Sequence, residues 1–264
     1  MSRSVRLALL ASSPLWLFAV SSGSAQDPPT PAPPAAKKKL TEEEEFILTL
    51  FESSQKSFNE EDRLVLVYDF ATKDETLVND WKPELARTRQ RIRWSGRLEG
   101  TFTTIEDGIV IGDQGQWLHE AVWLPDVTVK VELISVAQYR DGTILAPIFY
   151  DPKKKLSLGA NGGAQIVCLR GTRHAKRPHP PAAQPIVANN RLQMGYKFEK
   201  GHFHALTGSR SRADTVEVPK LVEGFERGHV GLAWTGSVQS FIFSVTIEGR
   251  LDPEWVKAQR KAKK

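Results

Sequence analysis

Apolar and polar residues alternate with a period of two along most of this chain, which is the spacing of β-strands whose two faces meet different surroundings. In DVTVKVEL, Val127, Val129, Val131 and Leu133 fall on one face. In SVQSFIFSVTIEG (237–249), Phe241, Phe243, Val245 and Ile247 share one face, with Ser240, Ser244, Thr246 and Glu248 on the other. Similar alternating or β-branched runs are LVLVYDF (64–70), RIRWSGRLEGTFTTI (91–105), GIVIG (108–112), TILAPIFY (143–150), AQIVCL (164–169), RLQMGYKF (191–198) and HVGLAW (229–234). The strand class carries through to DVTVKVELISV (126–136), and Gly, Pro, Asn and Asp separate the runs. Short strands at close spacing, with no long helix regularly following each, predict an all-β, antiparallel sandwich over residues 63–252.

Two segments read as helix. In TEEEEFILTLFESSQKSF, Thr41 stands as an N-cap with Glu44 three residues on, and Phe46, Ile47, Leu50 and Phe51 form a stripe. This predicts an amphipathic helix over 41–62 whose apolar side covers either its own sandwich or a partner. The end, DPEWVKAQRKAKK, predicts a short basic helix over 253–264, with Trp255 the residue able to fix it.

The amino-terminal residues change the picture of where the protein works. Arg3 and Arg6 precede an apolar run from Leu7 to Val20, then small residues to Ala25, the layout of a secretory signal peptide over 1–25. The run is shorter than the ~20 residues that span a bilayer, so cleavage and export are expected, to the periplasm, the cell envelope or the exterior. Residues 26–40, QDPPTPAPPAAKKKL, predict an extended spacer. The single cysteine, Cys168, excludes an internal disulfide, and its apolar neighbours in AQIVCLR predict a buried thiol. With 36 Lys and Arg against 31 Asp and Glu, the net charge of +5 is too mild to demand nucleic acid.

One stretch is more distinctive. Phe225, Gly228, Val230, Gly231, Leu232 and Trp234, then Val238, Phe241, Phe243, Val245, Ile247 and Gly249, follow the form F-x-x-G-x-V-G-L-x-W, turn, V-x-x-F-x-F-x-x-V-x-I-x-G. This resembles the closing strands of concanavalin A-like lectin and glucanase jelly rolls, and looks most like the bacterial 3-keto-disaccharide hydrolase domain. Asp80 and Trp81 and the span from Ile105 to Leu133 resemble earlier parts of that domain, so the likeness covers about Leu64 to Leu251. It implies a jelly roll associated with carbohydrate. The Glu-x-Asp-x-Glu of the related glucanases does not occur, and where the family often carries Asn-Ser-Gly this chain reads GTILAPIFYDPKKK.

Candidate chemistry is scattered. Trp117, Trp123, Tyr139 and Tyr150 are candidate stacking platforms, because the C–H face of a pyranose packs on a flat ring; a place in the core is the commoner fate of each such residue. Asp113, Glu120, Asp151 and Glu199 are candidate acids or bases. Arg170, with Arg173 and Arg177, lies in a proline-rich basic loop that could grip an acidic glycan. His202 and His204, two apart, leave the same face of a strand, although no third metal ligand is identifiable and no metal or cofactor is expected. Phosphate loops, Cys-x-x-Cys, His-Glu-x-x-His and Gly-x-Ser-x-Gly are absent from the sequence. Three readings stay open: a glycan-binding module, a glycoside-processing hydrolase, and an envelope interaction module.

Overall fold

The computed structural model describes residues 39–84, 93–95, 108–111, 115–135, 145–160, 166–170, 173–176, 191–207, 214–217, 224–234 and 240–263. In chain order the first elements are α1 (Glu42–Leu48), β1 (Gln55–Phe58), β2 (Leu64–Asp69), β3 (Trp81–Glu84), β4 (Arg93–Ser95), β5 (Gly108–Ile111) and β6 (Gly115–His119). Then come β7 (Trp123–Ser135), β8 (Leu145–Asp151), β9 (Leu156–Ala160), β10 (Ile166–Arg170), β11 (Arg173–Lys176) and β12 (Arg191–Glu199). The chain continues through β13 (His202–Thr207), β14 (Asp214–Glu217), β15 (His229–Trp234), β16 (Ser240–Leu251) and α2 (Pro253–Ala262). Tyr139, Arg177 and Asp113 lie outside the described residues, as does the amino-terminal segment up to residue 38.

The predicted antiparallel sandwich is the fold observed. One sheet has the order β1-β2-β16-β7-β12-β13-β14, with β5 also paired to β16 and β4 to β5; the other has the order β11-β10-β9-β8-β15-β6-β3. Successive elements cross between the sheets in jelly-roll fashion, so that β15 and β16 each insert between strands from much earlier in the chain. Val127, Val129, Val131 and Leu133 are buried between the sheets, opposite Val230, Leu232 and Trp234.

Alternation fails at one informative place. The register of β16 against β7 shifts between Ile242 and Ser244. This bulge takes Phe241 and Phe243 out of phase with Val245 and Ile247, and Ile242 joins the central core in their place. The second sheet is buried on both faces over β6, β8 and β9. Its outward side carries a separate cluster of Leu118, Ala146, Ile148, Val167, Leu169 and Ala233. Continuous apolar runs such as TILAPIFY therefore mark strands covered twice.

The amino-terminal helix is shorter than its sequence predicts. Thr41 and Glu44 form the expected capping box, with Thr41 N–H donating to Glu44 Oε2 at 2.7 Å and Glu44 N–H to Thr41 Oγ1 at 3.2 Å. The helix stops at Leu48 instead of running to 62, because Gln55–Phe58 pairs with the open edge of β2 as β1. Strand pairing there overrides helix propensity. The covered side of α1 faces the carboxy-terminal helix of the same chain. Arg260 and Lys263 lie over the Phe46 ring at 4.9 and 5.8 Å, and Phe51 stacks on Trp255 at 6.0 Å with planes 16° apart. Trp255 is thus the fixing residue its position suggested. No helix among the described residues is long and apolar enough to cross a membrane.

Candidate functional site

Two of the four candidate aromatic platforms lie in the core. Trp117 and Trp123 are fully buried. Trp117 sits on β6 in register with Leu232, and its ring meets Trp81 at 4.6 Å and Phe70 at 5.6 Å. Trp123 opens β7, where its backbone exchanges hydrogen bonds of 2.7 and 2.9 Å with Gly228. Both indoles belong to the core because period two puts Trp117 and His119 on its side of β6. Tyr150 is half-buried against the outward cluster of the second sheet. Arg170 is exposed at the end of β10 and pairs in register with Arg173, so the basic segment begins as a β-hairpin and not as a loop. Cys168 is buried, as expected.

A polar cluster invisible in the sequence lies beside these tryptophans. Tyr68 donates its O–H to Asp80 Oδ2 at 2.7 Å, and the same oxygen of Asp80 accepts the backbone N–H of Glu52 at 2.8 Å. His119 Nδ1 accepts from the Ala121 N–H at 3.2 Å and the Trp123 indole at 3.5 Å. Its proton must therefore sit on Nε2, which donates to Tyr68 Oη at 2.7 Å. Burial, then the nearby His229, lowers the His119 pKa to about 3. Burial raises the Asp80 carboxyl above its usual value, against the hydrogen bonds from Tyr68 and Glu52. The cluster joins β2, β6, β7 and the segment after α1, and all three side chains are sealed from solvent. Its role is to hold these elements together.

An accessible site is found at one end of the sandwich. Three segments surround a groove of about 610 Å³. The first is the β8–β9 turn, where Asp151 Oδ1 accepts the N–H groups of Lys153 at 2.8 Å and Lys154 at 3.1 Å. Lys155 completes it with φ of 52°. The second is residues 224–228. Gly228 is required there, because a Cβ would lie 2.4 Å from the Tyr150 carbonyl oxygen. Phe225 is buried beneath Lys154, whose Nζ stands 5.2 Å from the ring centroid. The third is the start of α2. Asp252 caps it by accepting Glu254 N–H on Oδ1 at 3.0 Å, and its Oδ2 accepts Arg227 Nη1 at 2.7 Å.

Through these bonds one carboxylate ties the second segment to the third and another fixes the first, so the groove walls are built before any ligand arrives. Trp255 lines the groove half-buried, held by its stack on Phe51. Around it stand Lys153, Glu226, Arg227 and Glu254, all exposed. A flat apolar ring among hydrogen-bond donors and acceptors matches the two kinds of surface a sugar presents. Of the residues proposed from sequence, only Asp151 lies here, and it serves the turn. The local signals that could have marked the site are Asp252-Pro253, an N-cap followed by the residue favoured at the first helical position, and the Gly-x-x-x-Gly of GFERG.

His202 and His204 do share a face of β13, with ring centroids 6.4 Å apart. Among the described residues no group of three or more His, Cys, Asp or Glu side chains could hold a metal ion.

No protein family and no curated protein matches the chain by sequence. Solved structures resemble it in the course of the chain. A native glycosidic hydrolase aligns over 69% of this chain and 94% of its own at 9% identity, TM-score 0.42. A Bacillus subtilis protein of unknown function with a galectin-like fold aligns over 74% of this chain and 100% of its own at 12% identity, TM-score 0.43. A carbohydrate-binding module from Bacillus subtilis aligns over 65% and 93% at 12% identity, TM-score 0.36. Each is a likeness in the course of the chain, and no residue of the groove is carried over from them.

Proposed function

We propose that the protein is exported and binds carbohydrate, seating a glycan in the groove formed by the β8–β9 turn, residues 224–228 and the start of α2. The observation that carries this reading is the half-buried indole of Trp255 in a preformed groove, with Lys153, Glu226, Arg227 and Glu254 around it. One sugar ring stacks on the indole, and its hydroxyls exchange hydrogen bonds with the surrounding carboxylates and cations.

A hydrolase reading has one observation in its favour, the four carboxylates of Asp151, Glu226, Asp252 and Glu254 along the same groove. Two of these are already engaged in the turn and the cap. Glu226 and Glu254 are exposed, without the apolar enclosure that a glycosidase acid uses.

The test is a glycan array followed by calorimetry on the hits, run with the parent and with Trp255→Ala, Glu226→Gln and Lys153→Ala. Binding that is lost in Trp255→Ala and weakened in the two exposed-residue variants supports the groove. Binding indifferent to all three sinks it. Turnover of ordinary or oxidised disaccharides that disappears in Glu226→Gln or Glu254→Gln makes the protein an enzyme instead.

A further inference from the structure

We propose that His202 and His204 form a two-imidazole site for a borderline transition-metal ion on the outward face of the first sheet, with Cu2+ preferred over Zn2+. The proposal concerns a surface that shares no residue with the groove.

The geometry is set by the β12–β13 hairpin. Lys200 and Gly201 both have positive φ, 49° and 75°, giving the two-residue turn that suits the twist of paired strands. The turn fixes the register, with Glu199 opposite His202 and Lys197 opposite His204. Phe203 and Ala205 are buried in the core, so the two histidines between and before them project outward. His202 is exposed and His204 half-buried.

The second observation is the orientation of His202. Its Nδ1 lies 3.1 Å from the backbone carbonyl oxygen of Lys200. A carbonyl only accepts, so Nδ1 carries the proton and the lone pair is on Nε2, at the outer tip of the ring. Metal-ligating histidines are commonly held by this same bond from the other ring nitrogen to a carbonyl. With metal–nitrogen bonds of about 2 Å, two imidazoles on adjacent coordination positions have centroids about 5 Å apart. The observed 6.4 Å therefore closes with a relative shift of about 1 Å or slightly more, taken up by rotation of the exposed His202 ring. The Glu199 carboxylate is occupied by Lys197 and by Lys200 at 3.6 Å, so the protein ligands of the site are the two imidazoles. Two imidazoles completed by water give an exchangeable site, and the stability order for nitrogen ligands puts Cu2+ ahead of Ni2+ and Zn2+.

The test is calorimetric titration of the full chain with Cu2+, Zn2+, Ca2+ and Mg2+, with electron paramagnetic resonance to count nitrogen ligands on copper. The expected result is one Cu2+ per chain carrying two nitrogen ligands, weaker Zn2+ binding, and no response to Ca2+ or Mg2+. His202→Ala and His204→Ala should each weaken Cu2+ by about tenfold or more. His202 is exposed, so the thermal melt of His202→Ala should overlay the parent, and copper binding by His204→Ala is read well below that variant's own melting temperature. Copper affinity that stays within about twofold of the parent in the double variant overturns the proposal, assigning the ion to another group. A parent that binds no Cu2+ overturns it as well.

Discussion

The sealed cluster at His119 and the open groove at Trp255 use nearly the same parts. Each has a tryptophan, an aspartate and a basic partner: Trp123, Asp80 and His119 in one, Trp255, Asp252 and Arg227 in the other. They differ in access to water, and that difference changes what each part does. In the cluster the imidazole stays neutral, and donor follows donor from His119 through Tyr68 to Asp80. In the groove the guanidinium is nearly half exposed and the indole is half-buried. Residue type alone therefore does not separate a structural network from a binding surface; burial does.

The comparison breaks most visibly by removing each tryptophan. Trp123→Ala should cost about 3 to 5 kcal/mol of stability by urea denaturation, since it empties a fully buried site. Trp255→Ala should cost about 1 to 2 kcal/mol, because only part of its ring leaves water, yet it should abolish glycan binding. Equal losses of stability would erase the distinction drawn between the two sites.

Next in size is Tyr68→Phe. It strips an acceptor from His119 and a donor from Asp80, and should cost about 2 kcal/mol with no change in ligand binding.

The pH response sharpens the contrast further. The His119 pKa falls from 6.5 to about 3 in the folded protein, so between those values the unfolded chain holds a proton that the native state excludes. Stability should decline as pH drops through that window, by at most about 1.4 kcal/mol per pH unit. Asp80 acts with the opposite sign. Its raised carboxyl binds a proton in the folded state over the range just above pH 3.8, and that contribution disappears as pH rises. Urea midpoints for the parent and His119→Gln between pH 7 and 4.5 test this, and parallel curves would contradict it. The smallest effect on stability belongs to Arg227→Met, which removes the half-exposed partner of the buried Asp252 carboxylate, with the loss read in glycan affinity.

Much of the architecture could be read from residue order. Period-two runs located β7, β15 and most of β16, because one face of each meets the core. The bulge after Ile242 could not be read, since nothing local distinguishes it from continued alternation. The early end of α1 was equally hidden, because it depends on the free edge of β2, a partner distant in space until the chain folds. Sequence alone left Trp117 and Trp123 between a sugar platform and the core for a related reason. Exposure is a property of what other elements pack against the ring, here Phe70, Trp81 and His119. The groove has the same origin: its three segments are separated by about seventy residues and by about twenty-five, and only the crossing of β15 and β16 between sheets brings them together.

The place of β16 also sets a timetable. It lies in the middle of the first sheet, flanked by β2 and β7, although it is the last strand of the domain. At ribosomal speeds of about 5 to 20 residues per second, β2 waits roughly 10 to 30 s between its own synthesis and that of its central neighbour. During that interval the nascent chain carries apolar strand edges with no partner to pair them, the state that chaperones recognise and that translocation machinery can still thread. Any premature stop before residue 240 removes the keystone strand, leaving two half-sheets with nothing between them.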